Sequence, residues 1–181
     1  MVTTNATKQD LVVTRLIDAP VELVWRAWTE PEQVMRWWGP KDYTSPSCQI
    51  DFREGGKYLF CMRAPEYQGG KDYYSGGVYT KIVPMQYLEF TQYLTDERGN
   101  HVKPAKVGMP EDFPDEVRTV IIFKDVGSKT EIIITEYDWT VGQMAEYSRL
   151  GLEQTLDKLV DSLTLAKDYL RTAGIGTQTQ R

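Results

Sequence analysis

Apolar and polar positions alternate through the middle of the chain, a pattern typical of strands that bury one face. Segments rich in Val, Ile, Thr and aromatic residues are separated by turns that contain Gly, Pro or charged residues. Short turns between neighbouring segments indicate antiparallel pairing. Seven strands are predicted, at residues 11–17, 47–53, 57–63, 73–83, 87–94, 117–125 and 129–139.

Two short helices are predicted between the first and second strands. Apolar residues recur with helical spacing from Val21 to Trp28 and again from Pro31 to Trp38. Pro20 and Pro31 suit the first turn of a helix, where a backbone N–H has no helical partner. We expect most of the tryptophans on these stripes to be core residues.

The last element is predicted to be one long helix, at residues 141–171. At about 1.5 Å per residue it would be about 45 Å long, enough to cross a whole sheet. Its apolar positions recur four and three apart, at Leu152, Leu156, Leu159, Leu163, Ala166 and Leu170. The concave face of a curved antiparallel sheet is the large surface able to bury this stripe, so the pattern predicts an α+β fold.

Composition indicates one globular domain. The chain has 181 residues, of which 41% are hydrophobic and 26% charged, and this length suits a single core. We expect the domain to span residues 10–171, with disordered tails at 1–9 and 172–181. The stretch 95–116, which contains Gly, Pro and alternating charges, is predicted to be a long surface loop.

Charge and hydropathy exclude several classes of partner. The formal net charge is −5 and no basic cluster occurs, which argues against nucleic acid as a partner. No apolar run reaches the roughly 20 residues of a membrane span, and the polar N-terminus does not resemble a signal peptide. We therefore expect a cytoplasmic protein, without membrane insertion and with reduced thiols.

Candidate catalytic and metal-binding residues are few. One His and two Cys cannot build a four-ligand Cys/His zinc site, and no metal or cofactor is implied. His101 lies in the predicted loop, where a solvated role is expected. Because no serine elbow, phosphate loop or dinucleotide glycine pattern occurs, no catalytic residue is predicted. Catalysis by a carboxylate and tyrosines that line a cavity is kept as an alternative.

Hairpin geometry predicts two cross-strand pairs. The hairpin of the second and third strands would place Cys48 opposite Cys61, as free thiols. The hairpin around residues 126–129 would place Arg118 opposite Glu136 on one face. Arg118 would then anchor a ligand carboxylate or hydroxyl, with Glu136 orienting it. An exposed ion pair of little energetic weight is the alternative.

One face of the long helix carries smaller side chains. Met144, Ser148, Gly151 and Thr155 share it. A glycine within a helix costs about 1 kcal/mol relative to alanine, so we expect a compensating feature. We predict that this face lines a cavity, and close packing at Gly151 is the alternative. Further cavity candidates are Trp37, Phe60, Tyr79, Phe90, Arg118 and Glu136.

Five segments carry a resemblance to a known family. They are Asp18-Ala19-Pro20 followed by Val24-Trp25, Trp37-Trp38-Gly39-Pro40, DFREGG at 51–56, Gly108-Met109-Pro110 and GLEQTLDKL at 151–159. Together they resemble the activator of heat-shock-protein-90 ATPase homologue-like group of the START-like, or SRPBCC, superfamily. The resemblance implies a helix-grip fold, in which a seven-stranded antiparallel sheet wraps around a long C-terminal helix. In many relatives a cavity between them holds apolar ligands.

The expected function is that of a non-enzymatic binding protein. A hydrophobic or amphipathic small ligand would lie between the sheet and the long helix. One alternative is a protein-interaction module that stimulates a heat-shock-protein-90-type chaperone ATPase through its surface. Another is a cyclase- or hydrolase-like enzyme that uses the same cavity. A filled interior would favour the interaction module, whereas a cavity with polar groups would favour ligand binding.

Overall fold

Seven antiparallel strands form one open sheet in the order β1-β7-β6-β5-β4-β3-β2. The structure is a computed structural model and describes residues 6–174. The strands are β1 Lys8–Ile17, β2 Cys48–Ile50, β3 Lys57–Arg63, β4 Asp72–Val83, β5 Tyr87–Thr95, β6 Val117–Val126 and β7 Lys129–Thr140. The strands β2 to β7 pair in sequence order, each with the next, and β1 pairs with β7 at one edge of the sheet.

Three α-helices complete the fold: α1 Val21–Thr29, α2 Pro31–Val34 and α3 Gln143–Thr172. The first two follow β1, as predicted, and α3 is a continuous helix of 30 residues. The fold is thus the expected helix-grip arrangement. The insertion between β5 and β6 contains a short 3₁₀ turn, Pro104–Val107.

The core lies between α3 and the face of the sheet that it packs against, here called the inner face. Ile121, Ile132 and Ile134 from β6 and β7 are 0–1% exposed. Leu156 and Leu159 of α3 are 0% exposed on the opposite side of this interface. The leucine stripe therefore packs on the inner face, as its spacing predicts.

The chain ends differ slightly from the expected boundaries. Lys8 and Gln9 pair with β7, so they are in the sheet and not in the predicted N-terminal tail. Positions 1–5 and 175–181 of the two predicted tails lie outside the described residues. Within residues 6–174, no helix combines the length and the apolar character needed to cross a membrane.

The predicted pairing of the two cysteines is wrong by one residue. Cys48 lies opposite Phe60, because the Asp51 N–H bonds the Lys57 carbonyl and closes a longer loop with an odd number of residues. Neighbouring residues of a strand point to opposite faces. Cys61 therefore points away from Cys48, and both are free thiols. Burial raises the pKa of the Cys48 thiol to about 12.

The predicted pairing of Arg118 with Glu136 is also wrong. Val126 pairs with Lys129 across a two-residue turn, and this register places Thr119 opposite Glu136. Arg118 projects from the outer face, where its guanidinium bonds Glu89 at 3.0 Å. The idea that Arg118 anchors a ligand inside the sheet is therefore wrong, since a one-residue shift moves a side chain to the other face.

Candidate functional site

A cavity of about 270 Å³ lies between the inner face of the sheet and α3. Strands β3, β4, β5 and β7 supply one wall, and residues Ser148–Thr155 of α3 supply the other. The segment 38–40 and the insertion between β5 and β6 complete the lining. Its aromatic and sulfur-containing lining residues are Trp38, Met62, Tyr73, Tyr74, Met109 and Phe113, and Leu94 and Leu152 add aliphatic surface. We call this space the main cavity.

A smaller space of about 70 Å³ adjoins the main cavity. The two share Gln92, Leu94, Phe113, Glu136 and Ser148 in their linings. Trp139 lines the smaller space and packs edge-to-face against Phe113, with ring centroids 5.8 Å apart. Glu136 and Ser148 therefore lie where the two spaces meet.

Gly151 borders open volume. A Cβ atom built on this glycine meets no heavy atom within 4 Å, apart from its own helical backbone and chain neighbours. One turn later, the Thr155 hydroxyl donates to the Gly151 carbonyl at 2.7 Å. The geometry contradicts the alternative in which Gly151 permits close packing. The absence of a side chain here contributes volume to the main cavity.

Among the residues that the structure describes, Glu136 is the one carboxyl side chain that lines the main cavity. It is 9% exposed, and its Oε2 accepts a hydrogen bond from Trp139 Nε1 at 2.9 Å. Burial disfavours the charged form and raises the pKa of Glu136 to about 7, although Trp139 and Ser148 act in the opposite direction. No Lys, Arg or His side chain contributes to the described linings of the two spaces.

The fold and these positions can be compared with known proteins. The sequence matches the family described as Activator of Hsp90 ATPase homolog 1-like protein over residues 18–164. The chain belongs to this family. We refer to it below as the AHSA1-like family.

Solved structures of other AHSA1-like and uncharacterised proteins share the fold. A protein from Nitrosomonas europaea is 27% identical with a TM-score of 0.67, covering 88% of this chain and 97% of its own. The AHSA1 protein from Silicibacter pomeroyi is 21% identical with a TM-score of 0.68, covering 87% and 99%. An AHSA1-like protein from Aeromonas hydrophila is 18% identical with a TM-score of 0.62, covering 96% and 99%. No curated protein matches the sequence.

Four of the candidate residues meet at the main cavity of this AHSA1-like chain. They are Glu136, Ser148, Gly151 and Thr155. Met144 packs against the core instead. Arg118 lies on the outer face, as described above. A role in ligand binding stays a prediction for each of the four.

The aromatic candidates lie elsewhere. Trp37 is 1% exposed and its Nε1 donates to the Ala27 carbonyl at 3.0 Å, so it is a core residue and not at a rim. Phe60, Tyr79 and Phe90 surround a gap of only about 10 Å³. This cluster is filled by its own rings, which leaves little space for a ligand.

Some lining residues were not predicted. Trp38 packs against the core, as expected of the tryptophans on the helical stripes, and it also borders the main cavity. Met109 and Phe113 belong to the insertion that was expected to be a surface loop, and they form part of the wall. Their apolar character within a polar segment was the available signal. Their position depends on how the insertion folds back over the sheet, which no local pattern specifies.

Lys158 ties α3 to the segment beside the cavity. Its ammonium donates to the Tyr43 carbonyl at 2.7 Å and to the Gly39 carbonyl at 3.0 Å. Longer bonds of 3.4 Å reach the carbonyls of Trp38 and Pro40. Burial lowers the pKa of this amine. The Lys158 side chain thus bonds several carbonyls of the segment 38–43, which includes cavity-lining residues, and holds it against the helix.

Proposed function

We propose that this AHSA1-like domain binds a small amphipathic molecule in the main cavity. The observation that carries the proposal is the open volume at Gly151, whose described lining is mainly apolar and contains one carboxyl, that of Glu136. Small-molecule sites commonly combine an apolar lining with a few polar groups that fix orientation. The main cavity has this composition.

The size of the cavity limits the ligand. A volume of about 270 Å³ is near the lower end of ligand sites, about 300–1,000 Å³. It corresponds to about nine water-sized groups, at about 30 Å³ each. A molecule of one ring and a short chain suits this space, whereas a sterol or a long acyl chain does not.

The lining favours an aromatic or aliphatic body. Trp38, Tyr73 and Phe113 offer ring faces and edges, which pack well against other rings. Met62 and Met109 are flexible and adapt to irregular shapes. Glu136 and Ser148, where the main cavity meets the smaller space, are among the polar groups of the lining.

Calorimetry with phenylbutanol, a neutral probe of suitable size, tests the proposal. Gly151→Leu fills the open volume, so we expect the affinity to fall at least about tenfold. The melting temperature should be retained or rise, because leucine is the better helix former and open space accepts it. Thr164→Leu, on the exposed side of α3, is the matched control and should bind the probe like the unmodified protein.

Either of two results would overturn the proposal. If phenylbutanol does not bind, or if Gly151→Leu binds it unchanged, the main cavity is not a ligand site of this kind. A lower melting temperature for Gly151→Leu would indicate overpacking, which costs about 1–3 kcal/mol. Mass spectrometry of small molecules released from the purified protein would then identify any natural occupant directly.

Family membership supports a second candidate function, stimulation of a heat-shock-protein-90-type ATPase. This role would use the surface and not the cavity. Steady-state ATP hydrolysis by such a chaperone, with and without the chain, tests it. Equal stimulation by Gly151→Leu and the unmodified protein would assign the activity to the surface, and no stimulation would reject this candidate.

A further inference from the structure

Among residues 6–174, the lining of the main cavity contains an acid without a base. Glu136 is buried where the two spaces meet, and basic side chains on neighbouring elements have other partners. Arg118 bonds Glu89 on the outer face, and Lys158 bonds the carbonyls of segment 38–43. Arg15 of β1 bonds Glu153 and Asp157. The described residues therefore provide no positive charge that faces the Glu136 carboxyl.

A buried carboxylate in this position is incompletely stabilised. Taking a charge out of water is unfavourable unless hydrogen bonds or an opposite charge compensate. Here the protein supplies the Trp139 N–H at 2.9 Å and the neighbouring Ser148. Neither of these groups carries a positive charge. Because Glu136 lines the main cavity, a group that enters from the cavity can reach its carboxyl.

A second polar group near Glu136 also lacks a partner. Thr119 lies directly opposite Glu136 in the β6–β7 pairing, and it is 2% exposed. Its hydroxyl has no hydrogen-bond partner among residues 6–174. Directly opposed side chains are about 4.5–5.5 Å apart at Cβ. The sheet thus presents two incompletely satisfied polar side chains at one point of its inner face.

We propose that the ligand class of this cavity is a protonated amine on a small apolar or aromatic body, with its ammonium bonded to Glu136. The inference rests on the proposed function. An ammonium supplies both the missing charge and the missing donors. A neutral hydroxyl supplies only a donor, and a ligand carboxylate would be repelled. The rings of Trp38 and Tyr73, which line the same cavity, add the attraction of aromatic faces for cations.

Three probes of similar shape test the ligand class: phenylbutylamine, phenylbutanol and phenylbutyric acid. Calorimetry at about pH 8 measures binding with Glu136 mostly ionised. We expect the amine to bind at least about tenfold more tightly than the alcohol, as for a hydrogen bond between charged groups. The acid should bind more weakly than the alcohol.

Glu136→Gln removes the charge and keeps the shape. We expect this variant to bind the amine at least about tenfold more weakly and to bind the alcohol nearly unchanged. Glu89→Gln, a carboxyl change on the outer face, is the matched control and should leave amine binding intact. If Glu136→Gln does not fold by its thermal melting curve, Glu136→Met serves as a second uncharged variant.

The outcomes separate this inference from the proposed function. If the alcohol binds and the amine has no advantage, the cavity binds ligands but the amine class is wrong. Equal amine binding by Glu136→Gln and the unmodified protein would also overturn the inference. If none of the three probes binds, the proposed function itself fails.

Discussion

At the scale of single residues, Glu136 links the site to the stability of the fold. Its pKa rises from the ordinary value of 4.5 to about 7 because burial disfavours the carboxylate. The native state therefore holds a proton between these two values that the unfolded chain has released. Stability contributed by this proton is present below about pH 4.5 and is lost as the pH rises through about 7.

The first prediction concerns the sign of this effect. At about pH 8, Glu136→Gln should increase the free energy of unfolding by up to about 3 kcal/mol, since one pKa unit corresponds to about 1.4 kcal/mol. At about pH 4.5 the gain should nearly vanish. Urea denaturation at both pH values measures it, and an equal change at both would contradict the assignment of a titrating, buried carboxyl.

Glu89 provides a control of opposite sign. The Arg118 guanidinium, together with the Tyr87 and Thr80 hydroxyls, lowers the pKa of Glu89 to about 2. Its stabilising contribution is present above the ordinary value of 4.5 and is lost as the pH falls toward 2. Glu89→Gln should therefore lower stability at about pH 8, where Glu136→Gln raises it.

At the scale of elements, α3 and segment 38–43 act together through Lys158. The segment contains Trp38, Gly39 and Pro40, all of which line the main cavity. A second contact, from the Lys41 N–H to the Gln154 side chain, measures 3.2 Å. Because α3 holds this segment from one side, the geometry of the cavity wall depends on the Lys158 ammonium.

The second prediction is that Lys158→Met loosens the segment. The variant retains an alkyl chain but leaves partly buried carbonyls without their donor, which should lower stability by about 1–3 kcal/mol. Hydrogen exchange of amides in 38–43 should accelerate relative to those in β6. Lys167→Met, which removes a more exposed contact to Asp18, should cost under about 1 kcal/mol. Equal exchange in Lys158→Met and the unmodified protein would contradict this role.

At the scale of the whole molecule, the interface between α3 and the sheet forms the core. Leu156 and Leu159 lie far along the chain from the strands that they cover, yet both are fully buried. By contrast, Leu165 on the same helix is 72% exposed. Leu165 does not belong to the leucine stripe, so its exposure shows that a different side of α3 faces solvent.

The third prediction compares these leucines. Leu159→Ala should lower the free energy of unfolding by about 2–5 kcal/mol, because it removes buried methyl groups and leaves a cavity. Leu165→Ala should change it by less than about 0.5 kcal/mol. Chemical denaturation of both variants measures the difference. Similar losses in the two variants would indicate that α3 packs with a different face.

The amino-acid sequence by itself determined the elements and their order. Strand alternation and the leucine spacing of α3 depend on neighbours within a few residues, so Ile132, Ile134 and Leu156 could be assigned to buried faces directly. The helix-grip fold followed from these patterns and the family resemblance. Even Gly151 was identifiable, since a glycine within a helix is unfavourable without a compensating feature.

Only the tertiary structure decided the register and the walls of the cavity. One residue more or less in a turn moves every side chain of a strand to the other face, which separated Cys48 from Cys61 and Arg118 from Glu136. Met109 and Phe113 reach the main cavity because the insertion folds over the sheet. These contacts join segments that are far apart in the sequence. They depend on the packing of the whole chain, so local periodicity does not predict them.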